Sequence, residues 1–224
     1  MYSISRDELF EALECSQNII VSEVKVDPIK YYVVDNVFKN PDKAVAVLKN
    51  WPVITPPSYT YTPGGRQYFT PMDLKPLMLF YSDVANYITN KNFNPINFIT
   101  SSNVVPPEPD VWEGSWHPHT DHDMVFNLWL CDWTEGTGLF TYKDCYADRD
   151  YDGTPDQKVN HDKIVKWRNP GTYENDYKHY HTIPCKYNSV AIYDGKLFHG
   201  TIMGEGTGDR YSLISFYHQE QSYA

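Results

Sequence analysis

The chain has 224 residues, 41% of them hydrophobic and 16% aromatic, and a formal net charge of −10. That length and apolar content suffice to fill a proper core, and the acidic balance argues against a protein that coats phosphate backbones, which draws on clustered Lys and Arg. No apolar run approaches the length of a membrane span, and the N-terminus lacks the basic start and apolar core of a secretory signal, so a cytoplasmic protein with no membrane association is expected.

The first predicted element is a short amphipathic helix in "SISRDELFEALE". Ser5 and Glu8 have capping-box spacing there, and Leu9, Phe10 and Leu13 fall on one side. "YYVVDNVF" follows as a strand. A second helix is predicted in "NPDKAVAVLKNW", with Asn40 as cap, Pro41 at the first helical position and Pro52 as terminator. Residues 52–76 are rich in proline and contain the Gly64-Gly65 pair, which leaves room only for short extended pieces. "PLMLFYSDVANYITN" reads as a third helix.

From about residue 96 the texture changes. "INFITSSNVV", "MVFNLWLCDW", "GLFTYKD", "YHTIPCKY", "SVAIYDG" and "RYSLISFYH" are short, β-branched or aromatic, and separated by turn formers. Such a series predicts a compact antiparallel β body. The Asp144–Asp176 segment lacks periodicity and is expected to be a long excursion that could act as a lid. A single domain, 1–224, is expected, with helical support over about 1–95 and a β-barrel core over about 96–220. Cys15, Cys131, Cys145 and Cys185 are far apart in sequence without a C-x-x-C pair, so they read as reduced, mostly buried thiols.

The chemistry-bearing stretch is "HPHTDHD" at 117–123. Residues two apart on an extended strand share a face, so His119 can join either Asp121 or His117 at one metal. His122 and Asp123 add further options, and spacing alone leaves the choice open. Farther along, His199 ends an apolar segment, and Arg210 and Ser212 alternate on one face of a predicted strand. Two histidines and one carboxylate are the set a non-haem Fe(II) centre uses on one side, leaving positions for substrate and oxygen. His119, Asp121 and His199 supply it.

H-x-D, a distant His and then Arg-x-Ser resemble the Fe(II)/2-oxoglutarate-dependent oxygenases, in size the small prolyl-hydroxylase-like and phage-borne members. "VVDNVFKNPDKAVAVL", "YTPGGR" and "LWLCDWTEGTGLFTY" resemble further family segments. The resemblance implies a double-stranded β-helix (a jelly-roll, cupin-like barrel) backed by N-terminal helices. It implies Fe(II) on His119, Asp121 and His199 as the catalytic metal set, and 2-oxoglutarate as cosubstrate held by Arg210 and Ser212. It also implies O2 as oxidant and hydroxylation of a small-molecule or protein side-chain substrate, with release of succinate and CO2. Asn127 and Trp129 have the alternation to line the same pocket. Trp112, Trp116 and Tyr142 flank the proposed mouth, and Arg66 is placed to meet an acidic substrate group.

Two other readings compete. His117, His119, Asp123 and His199 resemble a cupin metal set that needs no 2-oxoglutarate, but they leave Arg210 and Ser212 unexplained. A non-catalytic β-barrel binding protein suits the aromatic richness and treats the order of the polar residues as accident.

Overall fold

The computed structural model describes residues 4–51, 65–105, 118–121, 123–142, 177–202 and 204–218, with side chains described except at 65–67, 103–105 and 142. Two antiparallel sheets form the body. The larger has the order β1 (Ile20–Val26), β2 (Ile29–Asp35), β8 (Ser189–Asp194), β5 (Met124–Trp129), β10 (Arg210–Tyr217), β4 (Phe98–Val105), β3 (Gly65–Phe69). The smaller has the order β7 (Tyr177–Pro184), β6 (Glu135–Tyr142), β9 (His199–Thr201). From β4 onward the chain passes between the two sheets: β5 lies in the large one, β6 and β7 in the small, β8 in the large, β9 in the small and β10 in the large. That winding is the double-stranded β-helix expected from the sequence.

The three helices form where their caps and apolar spacing place them. In α1 (Arg6–Ala12) the Ser5 amide donates to Glu8 Oε2 at 2.7 Å, and the Glu8 amide donates to Ser5 Oγ at 3.2 Å. Two otherwise unpaired amides are thereby satisfied. In α2 (Pro41–Asn50) the Asn40 side chain accepts from the Lys43 amide at 3.1 Å, and Pro41 occupies a position that needs no donor. In α3 (Lys75–Thr89) the chain exits through Asn90 in the left-handed region at φ 55°.

Alternation along the strands of the large sheet creates two separate cores. Phe126, Leu128, Val190, Ile192, Tyr211 and Leu213 face outward and pack on Leu9 and Leu13 of α1, Ala44 and Leu48 of α2, and Leu77 and Tyr81 of α3. Tyr81 stacks on Phe126 with ring centroids 4.6 Å apart. Val125, Trp129, Ala191 and Tyr193 face the other way, toward Leu139 and Ile183 of the small sheet. Each large side chain fully buried in this way contributes about 1.5–3 kcal/mol. Both cores need an uninterrupted apolar face on their side of the sheet, which is why β5 and β8 read as nearly continuous apolar runs in the sequence.

Besides its three helices the N-terminal part contains strands, of which β2 overlaps the one read in "YYVVDNVF". It contributes β1 and β2 to one edge of the large sheet and β3 to the other. β1 and β2 pair through an Asp27-Pro28 turn whose peptide bond is cis. The N-terminal part is fastened to the barrel by Asn188, which sits at φ 57°. Its Oδ1 accepts from the Phe38 amide at 2.8 Å, and its Nδ2 donates to the Phe38 carbonyl at 2.9 Å. The expected Asp144–Asp176 excursion lies outside the described residues.

Candidate metal centre

His119 and His199 are brought together by their main chains. The His119 amide donates to the His199 carbonyl, and the His199 amide to the His119 carbonyl, each at 2.8 Å. This antiparallel bridge adds His119 to the small sheet beside β9. One residue pair further, the Asp121 amide donates to Gly195 O at 2.7 Å, in the turn between β8 and β9. The extended H-x-D segment is therefore held at one end by β9, which carries His199, and at the other by the turn that leads into it.

The side chains converge as a result. His199 Nε2 lies 2.9 Å and His119 Nε2 3.6 Å from the same oxygen, Asp121 Oδ2. One ligand atom from each of His119, Asp121 and His199 can be chosen so that all lie within 4.8 Å of one another. The three form a graded rim: side-chain exposure is 43% for His119, 22% for Asp121 and 5% for His199. One side of the cluster is thus packed and the other opens outward, as a centre that admits further ligands requires.

The electrostatics suit a cation. Burial alone would raise the Asp121 carboxyl, but the adjacent His119 and His199 rings more than reverse it and hold the group well below the usual carboxylate range. His199 Nδ1 lies 2.8 Å from Leu197 O. A carbonyl only accepts, so Nδ1 carries a proton and Nε2 is the nitrogen facing Asp121.

Arg210 and Ser212 lie on the barrel-facing side of β10 and are 2% and 1% exposed. The Arg210 guanidinium reaches across to the small sheet, where Nη2 donates to Gly136 O at 2.7 Å. Its Nε is buried without a hydrogen-bond partner, as is Ser212 Oγ. No carboxylate among the described residues pairs with Arg210, and burial lowers its pKa. A Cβ on Gly136 would meet the Trp129 ring at 2.6 Å and the Ile183 carbonyl at 2.8 Å, so the strand carrying the arginine's acceptor packs directly on its neighbours.

No family model matches the sequence, and no curated protein matches it. Among solved structures, the chain is similar to the non-haem α-ketoglutarate-dependent epimerase SnoN from nogalamycin biosynthesis, at 12% identity and TM-score 0.47 over 84% of this chain and 79% of that one. It is similar to a prolyl 4-hydroxylase from Phytophthora capsici, at 10% identity and TM-score 0.47 over 100% and 68%. It is also similar to HygX from Streptomyces hygroscopicus, solved with nickel and 2-oxoglutarate bound, at 10% identity and TM-score 0.49 over 97% and 88%. Identity and TM-score are this low in all three, and the residues of the site carry the functional conclusion themselves.

The other sequence candidates divide. Asn127 and Trp129 line the barrel as their alternation predicts, with Asn127 Nδ2 donating to Thr137 Oγ1 at 3.0 Å. Asn127 Oδ1 and Trp129 Nε1 are buried without partners. Asp123 is exposed, and among the described residues it is Asp121 that groups with the two histidines. His117, His122, Trp112 and Trp116, and the side chains of Arg66 and Tyr142, lie outside the described residues.

Tyr193 is a site residue that the sequence did not single out. Its ring lies 5.0 Å from that of His199, edge to face. Burial, then Asp121, raise its pKa, while Thr137 and Arg210 oppose them. Tyr193 thus adjoins His199 and feels the charges of both Asp121 and Arg210. Its signal was the position two residues after Ala191 on an alternating strand, visible only once the inward face of β8 is known. No helix among the described residues is long and apolar enough to cross a membrane.

Proposed function

We propose that this chain is a non-haem Fe(II)- and 2-oxoglutarate-dependent oxygenase that hydroxylates a small-molecule or protein side-chain substrate. The observation that carries the reading is Arg210: a guanidinium 2% exposed, with no carboxylate partner among the described residues, on the inner wall of a barrel whose rim holds two imidazoles and a carboxylate. An uncompensated buried cation costs several kcal/mol, and a chain that retains one gains by binding an anion there.

His119, Asp121 and His199 fit Fe(II). Three donors of this type on one side of an ion leave its other side available. Arg210 and Ser212 fit the far carboxylate of 2-oxoglutarate. A guanidinium offers paired charge-assisted hydrogen bonds, and the Ser212 hydroxyl is a further donor with no other partner. When bound, iron and 2-oxoglutarate supply the oxidation: O2 is consumed, the cosubstrate leaves as succinate and CO2, and a substrate C–H bond gains an oxygen atom.

The protein's own work is arrangement. Leu197 O fixes the His199 tautomer, and the paired main chains of His119 and His199 fix the distance between the imidazoles. Asn127, Thr137 and Tyr193 set a polar wall in an otherwise apolar interior, orienting an anion while the surrounding Trp129 and Leu139 exclude water. A cytoplasmic location goes with this reading, since Fe(II) and free thiols both persist under reducing conditions.

The test is an anaerobic titration of protein and Fe(II) with 2-oxoglutarate, followed by the weak visible charge-transfer band of the chelate. Appearance of the band in the wild type and its loss in Arg210→Ala, with iron still bound, supports the reading. Stoichiometric iron without any response to 2-oxoglutarate would favour a cupin-type enzyme instead. Absence of tight metal binding would leave a non-catalytic barrel.

A further inference from the structure

Cys131 and Cys185 are remote in sequence and belong to different sheets: one follows β5 of the large sheet, the other follows β7 of the small. Folding brings their sulfurs to 3.8 Å. Both are free and face the interior core that also contains Trp129 and Ile183. The two residues are only 7% and 8% exposed, so a bulky oxidant is excluded and only a small one can serve. Cys15, the third described cysteine, packs on the helix side of the large sheet and cannot reach either of them without unfolding.

We propose that Cys131 and Cys185 are a redox-active dithiol at the junction of the two sheets, closing to a disulfide when a small peroxide enters. This holds whether or not the chain is an oxygenase. A disulfide needs its sulfurs about 2.05 Å apart, so a modest approach of two side chains completes the bond.

Arg210 makes the pair reactive rather than inert. Its positive charge favours the thiolate on either sulfur, against the opposing Asp132 beside Cys131. The pair is also asymmetric: a hydrogen bond from Cys185 stabilises the Cys131 thiolate, then burial opposes it, and the net shift is downward, whereas Cys185 is pushed up. Cys131 is therefore the attacking sulfur. The same positive charge disfavours the competing use of two thiols, capture of a soft metal cation.

The reaction balances with hydrogen peroxide as sole oxidant. The Cys131 thiolate attacks one peroxide oxygen, the O–O bond breaks, and the departing hydroxide takes a proton to give water and a sulfenic acid on Cys131. The Cys185 sulfur then attacks the Cys131 sulfur. The S–S bond forms, the S–O bond breaks, and the Cys185 proton leaves with the hydroxide as a second water. Two electrons pass from the sulfurs to the peroxide.

The full chain, reduced and desalted, is treated with hydrogen peroxide, quenched under denaturing conditions with an alkylating agent, and examined by intact mass and peptide mapping. The expected result is loss of the mass of two hydrogens and a peptide joining Cys131 to Cys185, both reversed by a phosphine. The thermal midpoint should rise by several degrees, because the bond closes a loop across positions 54 apart. Cys185→Ala should accumulate a sulfenic acid at Cys131 that dimedone traps. The proposal is overturned if both thiols remain alkylatable after peroxide, or if the linked peptide joins other cysteines. It is also overturned if the pair takes up one Zn(II) per chain that survives His199→Ala and is lost in Cys131→Ser. The wild-type peptide map decides the matter even where a cysteine variant fails to fold.

Discussion

His119 and His199 are partners in one rung of β-ladder, each donating its amide to the other's carbonyl at 2.8 Å. Two imidazoles distant in sequence therefore keep ring centroids 4.6 Å apart as a property of the backbone. An ion does not have to assemble its own ligands, and most of the ordering cost is met during folding.

Removing a ligand should accordingly abolish the ion without melting the barrel. His119→Ala and Asp121→Ala are expected to lose Fe(II) binding by at least about a hundredfold while keeping the strand content of the wild type. Anaerobic metal titration with far-UV circular dichroism on the same samples measures both. An Asp121→Ala protein that holds iron as tightly as the wild type would move the ligand set to the cupin pattern.

Arg210→Met separates stability from binding. The wild-type guanidinium is buried and, among the described residues, donates to Gly136 O, so an apolar side chain of similar length should leave the ligand-free thermal midpoint unchanged or raised. In the wild type, 2-oxoglutarate at a hundredfold excess over its dissociation constant should add about 2.7 kcal/mol to the metal-loaded protein. That increment should vanish in Arg210→Met, with the metal's own increment retained. Differential scanning calorimetry with and without each ligand gives all four values.

Asp121 predicts a pH dependence for the metal-free chain. Its carboxyl is held lower in the folded chain than in the unfolded one, so the unfolded state binds the extra proton. The stabilisation is fully present above the ordinary carboxylate value, about 4, and is lost as pH falls from there toward the folded value. Urea midpoints of wild type and Asp121→Asn should differ most near about pH 6, and the gap should narrow steadily as pH falls below about 4. Parallel curves across that range would contradict the assignment.

Asn188→Ala should cost about 2–4 kcal/mol, since it leaves the Phe38 amide and carbonyl without their side-chain partners and forces a Cβ-bearing residue into the left-handed region at φ 57°. Asn188→Gly relieves the second cost only and should fall between the two. Denaturant unfolding orders the three.

Much of the barrel was legible because its strands carry their own punctuation. β5, β8 and β10 are apolar runs bounded by Asp, Gly or Asn, and α1 and α2 begin at Ser5 and Asn40 as their caps dictate. β1 went unread although Val24 and Val26 alternate with Lys25 ahead of the Asp27-Pro28 turn. An edge strand exposes most of its residues, and its weak pattern acquires meaning only from the neighbour it pairs with. At the site, H-x-D and Arg-x-Ser could be seen because each is local. Tyr193 beside His199 and the meeting of Cys131 with Cys185 could not, because both depend on how two sheets face each other, which no spacing in the chain encodes.

The large sheet works as a partition. Phe126, Leu128 and Leu213 belong to the compartment under the helices, whereas Val125, Asn127 and Arg210, their sequence neighbours or near neighbours, belong to the chamber between the two sheets. Protein engineers can therefore harden the helical compartment, by refilling it with better-fitting apolar side chains, and leave the chamber's selectivity alone. The converse freedom also exists: the chamber can be recarved for a new guest while the helical layer continues to hold the wall upright.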